Sequence, residues 1–339
     1  RFYLYFIVRL FFLFKRKLDS SEKENILIWD AGGAGWPDLI HLEGTLAASL
    51  KIRGHNVMAL ISDDLCKAYS KRTVMEGIDT STWRSQYKIL SQECKKNLKD
   101  FGIDYSFISS YLSRDEILNA HKISQKVKFK GLDKFSYKGY SIGKEIKGSI
   151  VRFLQGEPYS EKYFIILKEF TFKAIINIDA ALNAIKINKP SLVLLSHAIY
   201  VEWGPATNVF CSKNIAVTTY STRFMKGSFY FKRILNPNHN EPMNITEKSW
   251  EKHKKINLTN NAKEKVDTFF QKRYFNNKSI DIQFEDEDSM NINAFKRKYN
   301  LINEKRPIWG VFTHITWDGV FGFNPMIFSS IDEWLNVTI

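Results

Sequence analysis

At 339 residues the chain exceeds one ordinary domain and is long enough to bury a substantial core. Its 44% hydrophobic and 14% aromatic content excludes a disordered chain, and three widely separated cysteines (Cys66, Cys94 and Cys211) exclude a disulfide framework or a paired-cysteine zinc site and point to a reducing cytoplasm. The net charge of +14 favours phosphate-bearing or anionic partners, but no nucleic-acid-binding motif accompanies it, so nucleic acid is not an expected partner.

The N-terminal segment 1–20 begins with an apolar run, Phe2 to Phe14, interrupted by Arg9 and followed by Lys15-Arg16-Lys17. The run falls short of the ~20 residues that span a bilayer. An aromatic helix with a basic flank suits a peripheral position on an anionic membrane surface. Because the chain starts at Arg1 and stops at Ile339 inside a helical pattern, it reads as a piece of a longer reading frame.

Residues 21–235 read as a first α/β domain. Ile26-Leu27-Ile28-Trp29 is a buried strand, Ala31-Gly32-Gly33-Ala34-Gly35 a glycine-rich turn, and Leu39 to Ile52 a helix that Gly54 stops before a second strand, Asn56 to Ser62. This is the opening β-α-β unit of a doubly wound Rossmann-like fold, which binds ligands at the carboxyl ends of its strands. Charged helical segments follow from Leu65 to Leu98, then a short strand at Tyr105 to Ser109. Residues 110–150 are polar and lysine-rich, and Gly139, Gly143 and Gly148 give their end the look of a surface loop. Helical periodicity runs from Arg152 to Ile187, and Pro190 ends it. Ser191 to Ser196 is a buried strand, Ala206 to Lys213 a helix and Ala216 to Tyr220 a further strand; this alternation predicts a parallel sheet. Residues 236–305 read as a polar insertion and linker, and 306–339 as the start of a second Rossmann-like domain cut short at the C-terminus.

Three clusters could carry chemistry. In the glycine turn, Asp38 stands where a dinucleotide fingerprint needs its third glycine, and its carboxylate would repel a pyrophosphate at the helix N-terminus. Gly33, Gly35 and Trp36 therefore shape an open turn, not a nicotinamide-dinucleotide site. His41 lies three residues after Asp38, so both share one face of the first turns, where a carboxylate beside an imidazole suits a general base; a helix cap plus a surface histidine is the plainer alternative. Glu43 is a weaker alternative base. The second cluster, His197, Tyr200, Glu202 and Trp203, follows a central strand and offers groups that hydrogen-bond to and stack on a sugar ring. The third, Thr313, His314, Trp317 and Asp318, follows the strand at Ile308 to Thr313 and could contact a phosphate or sugar across an interdomain cleft, although Asp318-Gly319 is also a common turn pair. No HExxH, Gly-x-Ser-x-Gly, Walker A or zinc signature is present, so no metal site and no cofactor are expected.

Taken together, the first strand running into Gly-Gly-x-Gly-Trp-Pro, the Ser-His-x-x-Tyr-x-x-Trp-Gly segment and the later Thr-His-x-Thr-Trp-Asp followed by Asp-Glu-Trp-Leu resemble bacterial glycosyltransferases of the GT-B fold. The resemblance is to the capsule and surface polysaccharide biosynthesis proteins, over most of 25–235 and 306–339. It implies two Rossmann-like domains and metal-independent transfer of a sugar from a nucleotide-sugar donor to a glycan or lipid-linked acceptor. The enzyme would sit in the cytoplasm or peripherally on the inner face of the cytoplasmic membrane. It also implies that Asp38 and His41 line the acceptor side with the glycine turn, that 197–203 line the cleft and that 313–318 begin the donor side. Two other readings share the architecture: a nucleotide-sugar 2-epimerase, which would need no acceptor, and a non-catalytic polysaccharide assembly protein, which would lack nucleotide-sugar affinity.

Overall fold

The computed structural model describes residues 23–32, 37–63, 65, 68, 83–155, 163–222, 229–234, 247–274, 292–306 and 331–338. The expected N-terminal membrane-surface segment and the strand at Ile308 to Thr313 lie outside these residues. The chain divides into two compact units, one comprising Arg1–Ser221, Phe231–Asn244 and Ile315–Ile339, the other Thr222–Tyr230 and Ile245–His314. In the second, the helices α7 (Glu247–His253), α8 (Asn260–Tyr274) and α9 (Ile292–Lys298) are short and largely exposed.

The chain is α/β, with a mixed six-stranded sheet. Its strands are β1 (Asn25–Ile28), β2 (Asn56–Ile61), β3 (Asp104–Phe107), β6 (Leu192–Leu195), β7 (Ala216–Thr222) and β8 (Phe229–Ile234), in the spatial order β3-β2-β1-β6-β7-β8. Counted along the chain, this is the 3-2-1-4-5-6 order of a Rossmann-like sheet. β1 pairs in parallel with β2 on one side and β6 on the other, and β2–β3 and β6–β7 are parallel too, as the strand–helix alternation predicts. A strand covered on both faces needs side chains that are apolar on both, and Ile26, Leu27, Ile28, Val193, Leu194 and Leu195 are all buried.

Helix α1 (Pro37–Ile52) connects β1 to β2 and packs on α2 (Trp83–Asp100). Gly44 makes this approach possible, because a Cβ there would lie 2.3 Å from the Phe101 ring. A 25-residue helix, α5 (Phe164–Asn188), packs against α3 (Arg114–Ser124), α4 (Gly143–Phe153) and α6 (Tyr200–Ser212). The helical periodicity from Arg152 is therefore two helices, since α4 ends at Phe153 and α5 begins at Phe164.

The polar stretch 110–150, whose glycine-punctuated end was expected to be a surface loop, folds into helices and a hairpin. Ser113 and Glu116 form a reciprocal capping box that starts α3, with Glu116 N donating to Ser113 Oγ at 3.2 Å and Ser113 N donating to Glu116 Oε2 at 2.8 Å. One of the glycines turns a hairpin and two are buried in packing. Lys138 and Gly139, at φ 48° and 83°, form the two-residue hairpin turn between β4 (Ser136–Tyr137) and β5 (Tyr140–Ser141). A Cβ on Gly143 would lie 1.8 Å from the Leu132 carbonyl oxygen, and Gly148 is buried within α4. Asp179 of α5, fully buried, ties the hairpin down by accepting from Tyr137 Oη at 2.9 Å and Lys138 Nζ at 2.6 Å.

Candidate functional site

β1 has a parallel neighbour on each side, β2 reached through α1 alone and β6 only after the five α-helices α1 to α5 among the described residues. The crevice outside the carboxyl ends of β1 and β6 is therefore the topological switch point of the sheet, the place where this architecture binds ligands. The loops leaving both strands carry left-handed backbone: Asp30 (φ 48°) and Gly32 (φ 72°) after β1, Ala198 (φ 56°) and Tyr200 (φ 62°) after β6. For non-glycine residues this conformation costs roughly 1–2 kcal/mol each, so three such residues flanking one crevice concentrate backbone strain there.

Gly32 is held from three directions. Its N–H donates to the Glu43 carboxyl group, while a Cβ on it would lie 2.7 Å from Ile40 Cγ1 and 2.8 Å from Cys94 Sγ. Glu43, projecting inward from α1, is fully buried and also accepts from Tyr220 Oη of β7. Burial raises its pKa to about 8 against the opposing pull of the Tyr220 and Gly32 hydrogen bonds, and the neighbouring Asp30 adds to the rise. Burial thus favours the protonated form of Glu43, whose hydrogen bond with Gly32 fixes the glycine turn. Burial pushes the Tyr220 phenol well above its usual range and the Cys94 thiol far up as well, so Cys94, whose Sγ donates to the Ala31 carbonyl at 3.3 Å, is an inert packing group.

Asp30 is wholly buried at the end of β1 and forms an ion pair with Lys173 of α5 at 3.4 Å, both side chains being sealed from solvent. One turn along α5, Asn177 Nδ2 donates to the Val201 carbonyl at 2.6 Å. On the β1 side, Trp29 Nε1 reaches across to the Glu202 carbonyl at 3.2 Å, and its ring meets Phe210 edge-on at 5.3 Å. The first turn of α6 is thus anchored by its backbone to β1 and α5.

That anchoring decides what the second cluster exposes. Tyr200, Glu202 and Trp203 are buried, with the Arg152 guanidinium 4.5 Å from the centre of the Tyr200 ring. His197 is half-buried and lies against Trp203 at 5.5 Å between ring centres, while its Nδ1 and the Ser196 hydroxyl stand 2.5 Å apart. It is the polar side chain of the segment with surface left for a ligand.

Asp38 lies in the first turn of α1, its side chain outside the described residues. His41 is exposed, its ring 6.5 Å from Phe101 on the side of α1 facing α2. Gly33, Gly35, Trp36, Thr313, His314, Trp317 and Asp318 lie outside the described residues. Sequence reasoning missed Asp30, Lys173, Asn177 and Tyr220. For Lys173 and Asn177 the signal was present: four residues apart, they fall within the apolar stripe of Phe170, Ala174 and Ile178, where a polar side chain must find a buried partner.

Among the described residues no group of His, Cys, Asp and Glu could hold a metal ion, and no helix is long and apolar enough to cross a membrane. No protein-family model, curated protein or solved structure matches the chain.

Proposed function

We propose that the chain is the acceptor-side part of a GT-B-type glycosyltransferase that moves a sugar from a nucleotide-sugar to a hydroxyl of a glycan or lipid-linked acceptor. The observation that supports this reading is the topological switch point between β1 and β6. The glycine turn and the His197 loop, two of the three segments that carry the sequence resemblance, leave the adjacent strands β1 and β6 with strained backbone at the mouth of the crevice.

In this reaction the acceptor oxygen bonds to the anomeric carbon, the bond from that carbon to the diphosphate oxygen breaks, and the acceptor proton passes to a base. His41 and Asp38 on α1 are the proposed base and its partner. Glu43, although on the same helix, is the weaker candidate, since burial raises its pKa to about 8 and it already accepts hydrogen bonds from Gly32 and Tyr220. His197 is proposed to contact the sugar or acceptor, and Thr313, His314, Trp317 and Asp318 to begin the donor side.

The test is incubation of the protein, expressed from its full reading frame, with a panel of nucleotide-sugars and a membrane-lipid or glycan extract. Acceptor-dependent release of nucleoside diphosphate, with label appearing in the acceptor, supports transfer. Conversion of the donor without acceptor supports the epimerase, and absence of nucleotide-sugar binding supports the non-catalytic assembly protein.

A further inference from the structure

Between the end of α3 and the start of α4 the chain reads Lys126-Val127-Lys128-Phe129-Lys130-Gly131-Leu132, and its side chains separate cleanly by polarity. Lys126, Lys128 and Lys130 are exposed, Val127 and Leu132 are buried, and Phe129 is half-buried with its ring 6.4 Å from Phe164. The three lysines rim a cleft of about 280 Å³ whose apolar lining comes from Ile123, Val127, Leu132 and Phe135. Gly131, at φ 83° with open space around its Cβ position, turns the rim without closing the mouth. Lys122 and Lys134 extend the positive surface, and the one carboxylate within it, Asp133, is engaged by Lys147 at 2.9 Å. Among the described residues, none of the three rim ammonium groups takes part in an ion pair.

From this we infer that the 122–135 surface docks on an anionic phospholipid bilayer, with Lys126, Lys128 and Lys130 at the level of the lipid phosphates and the cleft mouth facing the acyl boundary. Charge complementarity sets the sign of the partner, and the lining selects its class. A single-stranded nucleic acid is held by exposed aromatic platforms on which bases stack, whereas here Phe129 is turned onto Phe164 and half-buried, and Phe135 is half-buried within a lining shared with Ile123, Val127 and Leu132. Lysine stems that run along apolar surface while their ammonium groups reach phosphate level match the layering of a membrane interface. The inference stands apart from the transferase reading, since it concerns a different face and needs no sugar chemistry.

The experiment is co-sedimentation of the protein with vesicles of phosphatidylcholine alone and with 30% phosphatidylglycerol. The wild type is expected on the anionic vesicles only, with binding that weakens as salt rises. Each lysine at an anionic surface contributes roughly fivefold to partitioning, so the Lys126→Gln/Lys128→Gln/Lys130→Gln variant is expected to bind about 100-fold more weakly. These side chains are exposed, so its circular dichroism and Tm should match the wild type. A charge-matched control, Lys252→Gln/Lys263→Gln/Lys265→Gln, changes exposed lysines in the second unit and should lose far less. Equal losses in both variants would reduce the effect to net charge and overturn the assignment. Undiminished binding of the first variant would transfer membrane contact to another segment and overturn it too. Binding to oligothymidylate that exceeds vesicle binding and disappears in the first variant would make the face a nucleic-acid surface instead.

Discussion

Asn177 of α5 donates from Nδ2 to the Val201 carbonyl at 2.6 Å, and Val201 is the residue four before Pro205 in helix α6. In a regular helix that carbonyl would accept from the N–H of residue 205, which proline lacks. The asparagine therefore supplies from a neighbouring helix the hydrogen bond that the proline removes, at a buried position where an orphaned carbonyl is costly. The same pairing locks the first turn of α6 and so sets how the His197 loop leaves β6.

Replacing Asn177 by Leu should destabilise the protein by about 1–3 kcal/mol, the penalty for a buried polar group left without a partner. Pro205→Ala restores a helical N–H to Val201, so Asn177→Leu in that background should cost less, with a coupling of about 1 kcal/mol in a urea-denaturation double-mutant cycle. Strict additivity would show that the two residues do not share this carbonyl.

The buried Glu43 makes stability depend on pH in a particular direction. Its folded pKa, about 8, lies above the ordinary value of 4.5, so between these values the folded state holds a proton that the unfolded state has lost. This group's contribution to stability is greatest below pH 4.5, declines by up to about 1.4 kcal/mol per pH unit as pH rises toward 8, and levels off above. The Glu43→Gln variant, which cannot ionise, should lack this decline in Tm measured from pH 5 to 8. A wild-type profile as flat as the variant's would remove the buried acid from the account.

Lys173 and Asp30 are sealed from solvent together, so removing one charge strands the other. Lys173→Met alone should cost about 3–5 kcal/mol, whereas Lys173→Met/Asp30→Asn should recover a large part of that loss. Chemical denaturation of the two variants separates the ion pair from simple packing, which would leave the double variant no better than the single.

For activity, the exposed position of His41 separates chemistry from folding. His41→Ala should abolish glycosyl transfer while leaving Tm within about 1 °C of wild type, because an exposed side chain contributes little to stability, and Asp38→Asn should abolish transfer too. His314→Ala should raise the donor KM more than the acceptor KM. Wild-type turnover in a folded His41→Ala protein would remove that residue from the base role.

The β-α-β opening was legible because it rests on local rules: a continuous apolar run makes a strand buried on both faces, and a glycine before an amphipathic stretch marks a turn into a helix. The capping box at Ser113 and Glu116 was equally local and readable, yet the lysines from Lys122 onward and the glycines at 139, 143 and 148 made 110–150 look polar and its end like a loop. Those lysines are the solvated outer side of elements whose inner side, Leu132, Ile146 and Ile150, is buried core. Of the glycines that looked like loop punctuation, Gly139 does turn a hairpin, but Gly143 is a place where backbones touch, against the Leu132 carbonyl, and nothing along the chain announces a contact of that kind.

The candidate site divides the same way. Sequence by itself determined that strand β1 runs into a glycine-rich turn and strand β6 into the Ser196-His197 segment, because strand ends follow from hydrophobic runs a few residues long. Only the tertiary structure decided that these strands are neighbours although more than 160 residues separate them, that Glu43 is buried against Gly32 and Tyr220 while His41 two residues earlier is exposed, and that Tyr200, Glu202 and Trp203 turn inward beside a half-open His197. The physical reason is that exposure and ionisation belong to a side chain's surroundings, and those surroundings are assembled from α5, β1 and β7, segments remote in the chain that meet only when the sheet closes around its core.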